Sequence, residues 1–306
     1  MNATMQNTAI GAGLVIIYTA LISSADAITK LIAGGYAAPQ LFCLSGLIVV
    51  GLSALADRHP SQRRGLRTTC PRAMALRSGA TVLAAVSFFY AFKLLPFAEV
   101  FLFIGLMPLL SGLMSGMVLG EHVRPSAWVA LVAGFVGVTF LFPAGVHSIS
   151  WGHGFAFAAA VFGTFSMVMA RFIGRYETNA LAQVFFPNLA IFVCMGAVLP
   201  FVWKPMPISD LAWVATYAGL LFGARWVVVV ALRLLAAYAV TPLMNLQFVW
   251  MVFLGAVFFG ELPAAGTYVG VSFVIGSGLF LVWDFTHTSD VATRTVKPSI
   301  IKELNS

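Results

Sequence analysis

The chain has 306 residues, 60% of them hydrophobic and only 9% charged. Soluble domains run at about 45–50% apolar and about 25% charged residues. Ten acids and seventeen bases therefore exclude a soluble globular enzyme, and a mean hydropathy of +0.96 excludes a disordered chain, so the net charge of +7 is read first as membrane topology.

A helix crossing about 30 Å of hydrocarbon needs about 20 apolar residues. Ten such stretches follow one another, at 10–32, 38–56, 74–92, 98–119, 126–142, 153–173, 180–202, 209–232, 238–259 and 266–284. The connections are mostly short and carry Pro or Gly, as at Gly34-Gly35, Pro96, Pro125, Pro143 and Pro263. The runs are continuous, whereas a transmembrane β-barrel needs alternation. Met1–Ala9 has no Lys or Arg, so the first stretch is expected to be a span and not a secretory signal.

Charged groups inside spans are costly, and each is a functional candidate. In the first span, Asp26 and Lys30 lie four apart and can pair across one turn. Asp26 is a candidate protonation site or a partner for a cationic group. The structural alternative is a lock between helices, with Lys30 snorkelling to the interface. Cys43, Cys70 and Cys194 form no CxxC and no metal-ligand spacing, and the two that fall in apolar runs read as small packing residues. The third span crowds Phe88, Phe89, Tyr90 and Phe92. The fourth opens on Glu99, where the helix dipole favours a carboxylate and where a coupling role is the alternative. It continues through Pro108 to a small face of Gly112, Gly116 and Gly120 beside Ser111 and Ser115. Such a face suits close helix approach or sliding, and Glu121 follows at water level.

Arg225 sits about two-thirds along the eighth span, too deep for easy snorkelling. It needs an internal carboxylate or a bound anion, which a guanidinium holds through paired hydrogen bonds. The ninth span carries Asn245, Gln247 and Trp250 after Pro242. Broken helices at membrane depth are tolerated where they line a cavity, and an aromatic-walled cavity with amides suits a planar or amphipathic metabolite. Arg225, Gln247, Trp250, Tyr90 and Asn245 are therefore the substrate-binding candidates. Asp26 and Glu99 are the coupling candidates. Pro108, Pro242, the three glycines, Glu121 and Glu261 are read as structural or hinge positions. The five histidines have no metal-ligand spacing and there is no GxxxxGK[ST] loop. No catalytic set, metal or cofactor is expected, and transport would draw on a gradient or on exchange.

Thirteen of the seventeen Lys and Arg fall in one set of alternate connections or the helix ends beside them; Lys30, Lys93 and Lys204 fall in the other set, and Arg225 lies within a span. By the positive-inside rule both ends of a ten-span chain are cytoplasmic. The chain also repeats itself at an offset of 140. Ala91 to Leu95 lies over Ala231 to Leu235, and Leu119-Gly120-Glu121 over Phe259-Gly260-Glu261. Five spans per copy make the second copy enter from the opposite side, an architecture of secondary transporters. The division is 1–145, 146–286 and a tail at 287–306.

At these residues the chain resembles the drug/metabolite transporter superfamily in its EamA-domain branch. The matching pieces are Ala91–Pro96 with Ala98-Glu99, Leu119-Gly120-Glu121, Thr241-Pro242, Gln247–Trp250, Phe259 to Pro263, and Ser277-Gly278-Leu279. Asp26 to Lys30 and Tyr36 to Gln40 are similar to the subgroup with S-adenosylmethionine uptake carriers, although Phe42-Cys43-Leu44-Ser45 stands where many relatives carry an Arg. The resemblance implies an all-α membrane protein of ten helices in two inverted five-helix repeats, working by alternating access in a bacterial-type inner membrane. Expected partners are a small-molecule substrate, membrane lipids and a coupling proton, with the chain a monomer or homodimer and no nucleic acid involved. The rival readings are a lipid-modifying membrane enzyme and a non-transporting channel or scaffold. A reporter fused after Ser306 should be active only if it works in the cytoplasm; activity of a periplasmic reporter there would overturn the even span count.

Overall fold

The computed structural model describes residues 3–58, 65–95, 97–120, 150–177, 179–235 and 243–260 except 245, with single positions between 125 and 136 and at 272 and 276. Among the described residues there are eight helices. They are α1 (Ala3–Ala33), α2 (Ala38–Asp57), α3 (Pro71–Leu94), α4 (Phe97–Leu119), α5 (Trp151–Tyr176), α6 (Ala180–Val202), α7 (Ile208–Leu234) and α8 (Gln247–Phe259). Six of them, α1 to α3 and α5 to α7, are long and apolar enough to cross a membrane. This is a multi-pass arrangement. They coincide with the first three and the sixth to eighth apolar stretches, and α4 and α8 with the fourth and the latter part of the ninth. The stretches at 126–142 and 266–284 lie outside the described residues apart from those single positions, as does the 287–306 tail.

The helix ends follow from local chemistry. Pro39 and Pro71 stand in the first turns of α2 and α3, where a missing N–H costs nothing. Ser150 and His153 form a capping box at the start of α5. Gly120 and Gly260, 140 apart, follow α4 and α8 with φ of +63° and +65°, a left-handed stop that residues with a Cβ rarely adopt. Carbonyls freed at the ends of α4 and α7 are taken by arginine. Arg175 donates to Leu119 O at 2.7 Å at the end of α4, and Arg171 to Leu232 O at the end of α7.

Contacts between turns fix the directions. Asn179, at the start of α6, donates to the carbonyls of Gly65 and Arg67 at 2.6 and 3.2 Å. Glu177 Oε2 accepts from Thr68 Oγ1, Thr69 N and Thr69 Oγ1 at 2.9, 2.7 and 3.1 Å. The end of α5 and the start of α6 therefore share a face with the approach to α3. On the opposite face Tyr36 Oη donates to Asp210 Oδ2 at 2.5 Å, and that hydrogen bond raises the Tyr36 pKa above its ordinary value. Gln40 Nε2 donates to Lys204 O at 2.7 Å, while Lys204 N returns a bond to Gln40 Oε1 at 3.2 Å. The end of α1 thus lies beside the start of α7, and the two run antiparallel. Arg67, Arg72, Arg175 and Arg233 share the first face; Lys204 lies on the second.

Packing is exchanged between the halves. α3 packs chiefly on α5 and α1 on α7; α4 also lies on α5 and α8 on α1; α2 and α6 lie against each other. Shifting the two members by 140 residues in opposite directions turns the α3–α5 pair into α7–α1 and the α4–α5 pair into α8–α1. The exchange holds at atomic scale. A Cβ on Gly11 would meet Leu235 Cγ at 2.8 Å and Leu234 Cβ at 3.4 Å; one on Gly152 would meet Leu95 Cγ at 2.7 Å and Leu94 Cβ at 3.1 Å. The Leu-Leu pair that closes the third helix of each half seats on a glycine that opens the first helix of the other. Lipid tails are as apolar as leucine, so close approach, not hydrophobic burial, holds membrane helices together. Ala156, Ala159, Ala160, Ala218, Ala224 and Ala231 are accordingly fully buried.

Overpacking of a fitted contact costs about 1–3 kcal/mol. Gly152→Val is expected to lower thermal stability in detergent by about that much, whereas Gly154→Ala, which faces open space, should leave it unchanged or slightly raised. Equal effects of the two would overturn the exchanged contact.

Candidate functional site

A cavity of about 200 Å³ lies between the halves, lined from α1, α2, α3, α4, α5, α7, the start of α8 and Met244 before it. Fourteen lining positions form seven pairs 140 residues apart. They are Asp26 with Ser166, Arg77 with Tyr217, Thr81 with Leu221, Ala85 with Arg225, Phe88 with Val228, Ile104 with Met244, and Met107 with Gln247. The two halves therefore present the same register to the cavity but different chemistry.

On α1 the stripe Tyr18, Ile22, Asp26 and Thr29 faces it, a spacing of three and four that keeps one side of a helix. Asp26 Oδ2 accepts from Gln247 Nε2 at 2.8 Å. Ser23 Oγ donates to the Gln247 carbonyl at 3.2 Å, so the first turn of α8 is pinned twice to α1. The sequence placed Asp26 with Lys30; in the structure the Lys30 ammonium lies 5.1 Å from the Phe259 ring centroid, and Asp26 holds Gln247. Arg225 lines the cavity and has no hydrogen bond or ion pair among the described residues; Tyr18 and Tyr217 lie within its electrostatic reach. Both phenols also feel Asp26. Phe42, Phe88 and Phe92 supply aromatic wall.

The other binding candidates sit elsewhere. Tyr90 stacks on Phe155 at 5.2 Å and meets Phe89 edge-on at 5.8 Å, joining α3 to α5. Trp250 is 37% exposed on α8 and is not among the cavity residues. Asn245, Pro242, Glu121 and Glu261 lie outside the described residues. Glu99 and Pro108 belong to α4, but their side chains are outside the description. Gly112 is buried while Gly116 and Gly120 are exposed; Ser111 and Ser115 are fully buried.

Sequence reasoning missed Arg77. It was counted among the basic helix ends, yet it is 7% exposed and lines the cavity. Its Nη1 donates to Gln183 O at 2.8 Å and to Gln183 Oε1 at 2.7 Å. The readable signal was Pro187 within α6. Proline has no N–H, so the carbonyl four residues back loses its helical donor, and Arg77 fills that vacancy. Thr81 and Ser166, whose hydroxyls meet at 2.7 Å across α3 and α5, and Tyr18 and Tyr217 were also missed, because hydroxyls inside apolar runs carry no pattern of their own.

Comparison with known proteins agrees with this geometry. Residues 9–142 match the EamA-like transporter family, and the six long apolar helices accord with a multi-pass membrane protein. The chain is 25% identical over 243 residues to a riboflavin transporter of Rhizobium johnstonii (strain DSM 114642 / LMG 32736 / 3841), covering 79% of this chain and 76% of that one. A crystal structure of a protein with 22% identity superposes with a TM-score of 0.68, over 90% of this chain and 96% of that one, which speaks for the fold alone. These findings point to a transporter of small metabolites and away from an enzyme. Among membrane helices, hydrogen bonds average about 0.6 kcal/mol with a maximum of about 1.7; Gln247→Met, which removes the donor to Asp26, should lower stability by an amount in that range, measured by thermal unfolding in detergent. A loss of several kcal/mol would mean that the bond holds the fold and not merely the site.

Proposed function

We propose that the chain is a secondary carrier that moves a small, planar organic metabolite across a bacterial-type inner membrane by alternating access. The observation that carries this reading is the cavity built from matched positions of the two halves, where Asp26, Gln247 and Arg225 meet an aromatic wall. In this reading the ten apolar stretches form ten helices in two inverted five-helix repeats, with both termini cytoplasmic. The antiparallel course of α1 and α7, the exchanged packing and the matched cavity register support it. A cavity of about 200 Å³ is smaller than the about 300–1,000 Å³ of a ligand pocket, which fits a closed state whose walls part to load.

Riboflavin is the first substrate to test, because the curated relative is a riboflavin transporter and a flavin ring suits phenylalanine and tyrosine walls with amide and charged groups at the edges. S-adenosylmethionine is the second. One charge moving through 100 mV is worth about 2.3 kcal/mol, so a single proton on Asp26 is enough for accumulation or export. Purified protein in liposomes should exchange labelled for unlabelled riboflavin in counterflow; a channel or a scaffold would not.

Two variants test the roles. Asp26→Asn should retain counterflow but lose accumulation driven by a pH gradient; gradient-driven uptake at the parent rate would make Asp26 structural. Hydrogen bonds to charged groups are worth about 1.5–3 kcal/mol, so Arg225→Ala should weaken substrate binding about 10- to 100-fold, with Arg225→Lys between the two because a point charge replaces a fork. Parent-like affinity in Arg225→Ala would remove Arg225 from the site.

A further inference from the structure

Two arginines line one cavity, and neither is neutralised there. Arg225 has no hydrogen bond or ion pair among the described residues. Arg77 is 7% exposed; its Nη1 is taken by Gln183, but its Nε is buried without a hydrogen-bond partner. The two guanidiniums lie close enough to act on each other electrostatically. Glu177, a carboxylate within electrostatic reach of Arg77, has one oxygen occupied by Thr68 and Thr69.

The inverted course of the helices brings them together. α3 carries the stripe Arg77, Thr81 and Ala85, and α7 the matching stripe Tyr217, Leu221 and Arg225. Arginine stands first on one stripe and last on the other. Because α3 leaves the arginine-rich face as α7 approaches it, first on α3 and last on α7 fall at the same depth. Arg77 lies six residues from the start of α3, and Arg225 nine from the end of α7. Asp26 is further toward the opposite face on α1. Among the described lining residues the charged groups are these three, a net of one positive charge when Asp26 is ionised.

The geometry points to an oxyanion subsite between Arg77 and Arg225, so that the substrate presents a carboxylate or phosphate monoester toward the arginine-rich face and its ring toward the aromatic wall. This rests on the carrier reading and assigns the substrate an anionic end, which neutral riboflavin lacks and S-adenosylmethionine has in its carboxylate; it also gives Arg77 a specificity role beyond bracing α6. Guanidinium pairs recognise such groups through parallel N–H donors, and an anion relieves the repulsion between two like charges in a low-dielectric cavity.

Removing Arg77 alone also uncovers the Gln183 carbonyl, so the test uses a second background. Pro187→Ala restores the helical N–H to that carbonyl, and Arg77→Gln made on it separates charge from bracing. The probes are benzoate, phenyl phosphate and benzyl alcohol, titrated against purified protein at low salt with thermal stability and calorimetry as readouts. At least one anion should bind ten-fold or more tighter than the alcohol, and which one does so distinguishes carboxylate from phosphate. That preference should survive in Pro187→Ala, fall at least ten-fold in Pro187→Ala with Arg77→Gln, and return in part with Arg77→Lys. Equal binding of anions and alcohol, or an undiminished preference in the double variant, would overturn the subsite. Riboflavin counterflow is read separately. If it persists while the anion preference is absent, the subsite falls and the carrier stands; if it is absent while the preference is present, riboflavin falls and the subsite stands.

Discussion

A backbone carbonyl at membrane depth has no water to turn to. Pro187 takes the helical donor from the Gln183 carbonyl, and an unsatisfied group in hydrocarbon costs several kcal/mol. Arg77 answers that need from the neighbouring helix. One side chain therefore ties α3 to α6 and places a guanidinium on the cavity wall. The site's charge is, in this sense, a consequence of a helix defect elsewhere. Arg171 and Arg175 do the same work at the ends of α7 and α4, which gives the arginine-rich face a structural reason as well as a topological one.

The second organising fact is that each half completes the other. The first helix of one half finds its principal neighbour in the third helix of the other, in both directions. Two latches repeat the rule at opposite faces. The turn after the first helix holds the approach to the third helix of the other half, through Tyr36 and Gln40 on one face and through Glu177 and Asn179 on the other. The latches share topology and differ in chemistry, as do the cavity positions. A duplicated scaffold can then hold a lopsided site, where the carboxylate of Asp26 answers to the hydroxyl of Ser166 and the amide of Gln247 to the thioether of Met107.

Much of the fold was legible. Apolar run lengths gave the six long helices nearly to their ends, and the Leu94-Leu95 and Leu234-Leu235 match marked the places where the halves touch. Arg225, Asp26 and Gln247 were legible as polar groups that a membrane span has to house. What was not legible depended on which helix faces which. Tyr90 and Trp250 look like binding residues by type, and only the rotation of α3 and α8 puts them outside the cavity. Asp26 and Lys30 are ideally spaced to pair, yet the amide of a helix more than two hundred residues away reaches the carboxylate. Arg77 was hidden because a charge six residues into a helix reads as interfacial until its neighbour's proline is considered.

The seating of Leu235 on Gly11 has a consequence for how the molecule is made. Chains emerge at about 5–20 residues per second, so α1 waits roughly 10–45 s for the helix it packs against, and Asp26 waits about as long for Gln247. During that interval the first helix stands in the bilayer with a bare glycine face and a carboxylate that has no amide. The early helices must be held by something other than their final neighbours, whether the insertion machinery or lipid. The time at which the protein is most exposed to quality control is thus set by the order of its own packing, and it ends only when the second half arrives.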